Sequence, residues 1–152
     1  MAYWLFKTEP DVFSIEDLVN SPDHTTRWDG IRNYQARNFL RDQVKKGDQV
    51  FIYHSQCKPP GIVGLAKVTA IAYPDPAQFD PENKYFDGTS KSEDPRWFAV
   101  DVQHRKTFKE PLSLPQIKQI PGLQQMVLLR QGRLSIQPVT EAEAKILLAA
   151  VG

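Results

Sequence analysis

The amino-acid sequence predicts an α+β fold, a curled sheet or open barrel flanked by short helices. Three observations carry this. Strand-like segments run in neighbouring pairs, with helical segments at intervals and no strict βαβ alternation. Twelve prolines against eight glycines fall between those segments and punctuate many short elements. A chain of 152 residues buries roughly 68–70% of its unfolded surface, enough for one domain without a covalent staple. No internal repeat, low-complexity tract or linker divides residues 1–152.

The elements follow in order. Residues 2–7 are β-formers ended by Thr8-Glu9-Pro10. Ser14 and Asp17 make a Ser-x-x-Asp start for a short helix over 15–19. Residues 25–28 are β-prone and stopped by Asp29-Gly30. Asn33 caps a helix from Tyr34 to about Val44, with Ala36, Phe39, Leu40 and Val44 on one face. A turn at Lys46-Gly47-Asp48 leads to a strand over 49–55. A long strand over 61–73 follows, with Gly64 predicted as a bulge. Residues 74–95 hold few patterned positions and predict an excursion loop whose length suggests function. Another strand is expected over 97–108, then a short helix from Ser113 to about Gln119 with Pro115 in its first turn. The last elements are a strand over 133–137 and a helix opened by a Thr140/Glu143 capping box and closed by Gly152.

Composition narrows the function classes. Nineteen basic against eighteen acidic side chains give a net charge of +1, which excludes a polycationic binder but not a local basic face. One cysteine, Cys57, excludes an intrachain disulfide and a cysteine-rich metal site. The longest apolar run, Ile146–Val151, is far short of the ~20 residues that span a bilayer. The N-terminal segment lacks the pattern of a secretion signal, so a soluble protein of a reducing compartment is expected.

Gly-x-Gly-x-x-Gly, Gly-x-x-x-x-Gly-Lys and Gly-x-Ser-x-Gly strings do not occur, which removes the markers of dinucleotide-binding, phosphate-loop and serine-hydrolase sites. Gly61-Ile-Val-Gly64 matches a KH-type string but lies in β-branched sequence rather than between helices. His54 and Cys57, three residues apart, could pair as base and thiolate. A loop cysteine beside a strand-end histidine is the simpler reading. The acids between 79 and 95 lack EF-hand spacing and read as a solvated loop.

Charge departs from balance in two stretches. Residues 27–46 hold Arg27, Arg32, Arg37, Arg41, Lys45 and Lys46 against Asp29 and Asp42. Arg37, Arg41 and Lys45 are spaced to share one helix face. Residues 111–140 carry Lys118, Arg130 and Arg133 without an acid, and Arg130-Gln-Gly-Arg133 suggests a phosphate clamp around a turn. Solvated surface is the plain alternative for each stretch alone. Trp28 stands beside the polar run 32–35, and tryptophan is more often core than platform. A base pocket nonetheless needs this combination: a flat apolar wall, with amide or hydroxyl groups such as those of Asn33, Tyr53 and Ser55 for the base edge.

Several longer motifs run through the whole chain: Tyr3-Trp-Leu-Phe-Lys-Thr-Glu-Pro10, Trp28-Asp-Gly-Ile-Arg-Asn-Tyr-Gln-Ala-Arg-Asn38, Tyr53-His-Ser55, Cys57-Lys-Pro-Pro-Gly-Ile-Val-Gly64, Tyr73-Pro-Asp75, Pro95-Arg-Trp97, Val100-Asp-Val102 and Arg133-Leu-Ser-Ile-Gln-Pro-Val139. Together they resemble the EVE domain, a PUA-like family related to YTH and ASCH domains. The resemblance implies one domain over residues 1–152, a PUA-like curled β-barrel flanked by short helices. It also implies a reader of nucleic acid, DNA or RNA, with a pocket for an extruded base that is methylated or further derivatised.

By similarity to the YTH arrangement, Trp28 forms a wall of the base cage. Tyr85, Phe86 and Trp97 are candidates for the second aromatic. Asn33, Ser55, Lys7 and Ser14 are then expected to read the base edge, with Tyr53 and His54 on the strand at the pocket rim. Arg32, Arg37, Arg41, Arg130 and Arg133 would hold phosphates, because phosphate contacts position while base contacts specify. No catalytic residue, metal, cofactor or membrane contact is expected. A monomer is favoured, located in the cytoplasm, or in the nucleus of a eukaryote. The expected result of Trp28→Ala is lost base binding with the fold largely intact. A nucleotide-processing enzyme built on His54 and Cys57, and a protein-interaction module, remain alternatives.

Overall fold

A computed structural model describes residues 1–151. The strands are β1 (Tyr3–Thr8), β2 (Thr25–Trp28), β3 (Gln49–His54), β4 (Gly61–Pro74), β5 (Phe98–Ser113) and β6 (Ile136–Val139). The α-helices are α1 (Ile15–Val19), α2 (Tyr34–Asp42), α3 (Leu114–Gln119), α4 (Val127–Arg130) and α5 (Glu141–Ala150). Single 3₁₀ turns occupy Pro22–His24 and Pro76–Phe79.

All six strands form one mixed sheet in the order β2-β5-β4-β3-β1-β6. β1 and β3 run parallel, from Tyr3 opposite Gln49 to Thr8 opposite His54, and every other pair is antiparallel. β2 and β6 are the two edges and do not pair with each other among the described residues. The expected barrel is therefore corrected to an open sheet.

Alternation along the central strands supplies two cores. Trp4, Phe6, Val50 and Ile52 face one side and pack with Trp28, Leu18, Ala36 and Leu40. Leu5, Phe51 and Tyr53 face the other and pack with Ile117, Leu123, Ala144 and Leu147. Burial on both faces explains why 50–53 reads as a continuous apolar run rather than an alternating one. Asp48, buried before β3, ties β1 in place: it accepts from the Ala2 amide at 3.0 Å and the Trp4 indole at 2.9 Å.

The capping residues act as the sequence predicts. Ser14, Ser113 and Thr140 each form a capping box, and the Asn33 side chain accepts from the Ala36 amide. Gly64 lies at a register shift between β4 and β5, where an added Cβ would meet the Ile15 side chain at 2.2 Å. Several boundaries differ from expectation. α2 ends at Asp42, which leaves Lys45 off the helix. β5 continues to Ser113 because Leu112 and Ser113 pair with Ile62 and Gly61, while Pro111 sits in the unpaired stretch before them. β6 starts at Ile136 rather than at 133, and it extends to Val139 because an edge strand tolerates Pro138. The helix α4 is unexpected, because it carries no side-chain cap that its sequence could signal. The role expected of Gly152 lies outside the described residues.

A cation-ringed cavity at the strand ends

The parallel pairing of β1 and β3 brings the ends of both strands, Thr8 and His54, to one edge of the molecule, where the amide of the following Ser55 donates to the Thr8 carbonyl at 2.9 Å. There the chain leaves both strands, and a cavity of about 840 Å³ opens. Its lining includes Lys7, Thr8 and Glu9 at the end of β1, Val12 and Phe13 before α1, and residues 26–31 around the end of β2. Ser55 and Gln56, Lys84 and Tyr85, and Gly132, Arg133 and Ser135 complete it.

Trp28 is 6% exposed and anchors the floor. Its ring packs against Phe6 at 5.6 Å and edge-on to Phe13 at 6.2 Å. The indole is thus a core side chain that also lines the cavity. After it, Gly30 has a φ of +75° and lies under the Tyr85 ring, so close that a Cβ there would meet Tyr85 Cε2 at 2.6 Å. Only glycine fits this turn, both for its dihedral and for the space. Of the three candidates for a second aromatic, Tyr85 alone lines the cavity. Phe86 is exposed elsewhere, and Trp97 is buried with its indole donating to Asp87 at 2.7 Å and its ring stacked on Tyr34 at 4.9 Å. The Thr89 hydroxyl, with that indole, holds the Asp87 carboxyl down at about 2.

The wall behind the cavity is held by Asp75, which has no exposed surface. Its carboxylate accepts from the Gly30 amide at 2.9 Å, the Ala77 amide at 2.9 Å and Arg32 Nη1 at 3.0 Å. Arg32 also donates to the Tyr85 carbonyl at 2.8 and 3.1 Å and lies over the Tyr85 and Trp97 rings. The 75–97 excursion is thereby fastened to the turn after β2. It is anchored through the buried Asp75, Ala77, Gln78 and Trp97, while the acids Asp80, Glu82, Glu93 and Asp94 are exposed, as the sequence predicts.

The other residues singled out in the sequence divide into two groups. Lys7, Ser55 and Arg133 line the cavity. The Lys7 ammonium donates to the Gly132 carbonyl and sits 5.4 Å above the Tyr53 ring, and burial lowers its pKa. Tyr53 itself is buried beneath, and that burial raises its phenol pKa. The second group lies outside the cavity lining and makes contacts within the protein. Asn33 and Ser14 cap helices. Arg37 lies over Tyr34 and donates to the Arg96 carbonyl, Arg41 binds Asp42 through two nitrogens, and Arg130 donates to Gln125. Of the clamp suggested at 130–133, Arg133 lines the cavity and Arg130 does not.

His54 is buried, and its Nε2 accepts from the Ile15 amide at 3.1 Å, satisfying the first turn of α1. The Cys57 thiol instead donates to the carbonyls of His54 and Pro59. The imidazole is thus committed to α1, and the base–thiolate pair offered by the sequence is not made. Burial holds the His54 pKa below its ordinary 6.5. The unfolded chain then takes up the proton first as pH falls, so stability declines from about pH 6.5 downward. His54→Ala should cost about 1–3 kcal/mol at pH 7.5 by stranding the Ile15 N–H, and should flatten this decline. Thermal melts at pH 7.5 and 5.5 test both, and equal pH dependence in the two proteins would contradict the assignment.

Sequence reasoning passed over Arg27, Lys84, Asp29 and Asp75 as site residues. Asp29 could have been found by its place beside Trp28, whereas Lys84 stood hidden among the acids of the excursion. Among the described residues no three His, Cys, Asp or Glu side chains gather to hold a metal, and no helix is long and apolar enough to cross a membrane.

The architecture is that of a small α+β domain with a cationic cavity at its strand ends. The EVE domain model matches residues 2–150, and the chain belongs to the EVE family. It is 44% identical to human thymocyte nuclear protein 1 over 97% of this chain and 73% of that protein. The crystal structure of human THYN1 protein in complex with 5-methylcytosine-containing DNA matches with a TM-score of 0.94 at 44% identity, covering 99% of this chain and 98% of that one. A Pseudomonas syringae protein of known crystal structure matches with a TM-score of 0.93 at 46% identity, covering 99% and 100%.

Proposed function

We propose that this chain binds nucleic acid and receives an extruded modified base in the cavity beside Trp28. The human THYN1 complex with 5-methylcytosine-containing DNA carries the reading, since that protein shares the fold over almost the whole chain. The cavity is consistent with it. Its size falls in the ordinary range for small-ligand sites, ~300–1,000 Å³. It has an aromatic wall in Trp28 and Tyr85, a hydroxyl and an ammonium in Ser55 and Lys7 for the base edge, and Lys84 and Arg133 for the backbone, with Arg27 bonded to the Tyr73 hydroxyl beside them. Extruding a base costs a few kcal/mol, which a stacking wall and edge hydrogen bonds can repay.

The test is a fluorescence-anisotropy titration of DNA carrying one 5-methylcytosine against the same strand with cytosine. Tighter binding of the methylated strand is expected, and equal affinity would overturn the reading. Arg133→Ala should weaken both strands alike and reduce the slope of log affinity against log salt by about 0.7–0.9. Arg41→Ala, whose guanidinium is already paired with Asp42, should leave that slope unchanged.

A further inference from the structure

We propose that Asp29 makes the cavity selective for bases that carry an exocyclic amino group, the cytosine and adenine class, against bases that present a carbonyl oxygen in its place. The inference rests on the cavity being a base pocket.

The argument starts from an unspent carboxylate in an otherwise cationic site. Lys7, Arg27, Lys84 and Arg133 line the cavity, and the acids beside them are Glu9 and Asp29. A carboxylate near a polyanion weakens binding unless it accepts a hydrogen bond that only the right ligand brings. Asp29 directly follows Trp28, so its carboxylate lies one residue from the stacking wall.

Its backbone is fixed from both sides. Trp28 pairs with Val100 in the sheet, and the Gly30 amide is anchored on Asp75. The Asp29 carboxylate, however, makes no hydrogen bond or ion pair to another described residue. The carboxylate is exposed at the cavity, and desolvation with the neighbouring Asp75 carboxylate raises its pKa against the opposing pull of Arg27, its own amide and Arg32, so a ligand donor would stabilise its ionised form. Glu9 is exposed like Asp29, but it follows β1 rather than the stacking tryptophan, in a turn where its backbone carbonyl accepts from the amides of Val12 and Phe13.

An ionised carboxylate only accepts hydrogen bonds. It takes one from the N4 amino group of cytosine, and it repels the O4 lone pairs of thymine. 5-Methylcytosine and thymine share the 5-methyl group and differ along this edge, so they isolate the contact. Wild-type protein should bind a DNA strand with one 5-methylcytosine about tenfold or more tightly than the same strand with thymine there. Asp29→Asn, whose amide can turn either a donor or an acceptor to the base, should bring the two affinities within about threefold. Asp29→Ser, which removes the fixed charge, should do likewise, and circular dichroism confirms that each variant is folded. Equal wild-type affinity for the two strands, or an unchanged ratio in both folded variants, overturns this inference alone. Binding to neither strand overturns the base-pocket reading and this inference with it.

Discussion

Asp75→Ala is expected to cost about 3–5 kcal/mol, the scale for removing one partner of a buried ion pair. The substitution strands three donors at once: the amides of Gly30 and Ala77, and the Arg32 guanidinium. Arg32 would then lie among Tyr85 and Trp97 with only carbonyls for partners. A domain of this size has about 5–15 kcal/mol in total, so the loss is visible directly in urea unfolding. Because Asp75 ties the turn after Trp28 to the wall that carries Tyr85, ligand binding should fall even where the variant remains folded. Asp75→Asn keeps one acceptor oxygen and should cost less than alanine. An alanine variant within about 1 kcal/mol of wild type would show that the excursion is held by its other contacts.

Trp28→Ala should be as damaging, at about 3–5 kcal/mol for truncating a core aromatic. The expectation from sequence, a variant with its fold largely intact, is corrected by the position of the ring between Phe6 and Phe13 at 6% exposure. For a chain of this length the midpoint of thermal unfolding should drop by roughly 10 °C. Loss of base binding by this variant would therefore carry little weight by itself. Trp28→Phe retains an aromatic wall and leaves a smaller cavity, so it separates stacking from folding when binding is measured well below its melting point. A melt of Trp28→Ala close to wild type would restore the view of Trp28 as a pure platform.

Much of the framework is legible locally. Capping boxes at Ser14, Ser113 and Thr140, the Asn33 cap and the strand expected over 49–55 depend on near neighbours and strand propensity, and each occurs, the strand as Gln49–His54. The long motifs also point to the family, which the match over residues 2–150 establishes. Basic residues carried less information. A guanidinium in sequence looks the same whether it faces solvent or a partner, and Arg32, Arg37, Arg41 and Arg130 all turn out to be engaged within the protein.

Tertiary structure decided the site. Lys84 and Tyr85 reach the cavity only because Asp75 and Arg32 fold the excursion back across the end of β2, and Arg133 arrives through the turn before β6. His54 became a structural acceptor because α1 docks its first turn on that ring. Hydrophobic period and caps are written within a few residues, so the sequence alone determined the elements and the family. The side chain that ends up opposite Trp28, and the charge left without a partner, depend on contacts across 40 residues and more, which local pattern does not encode.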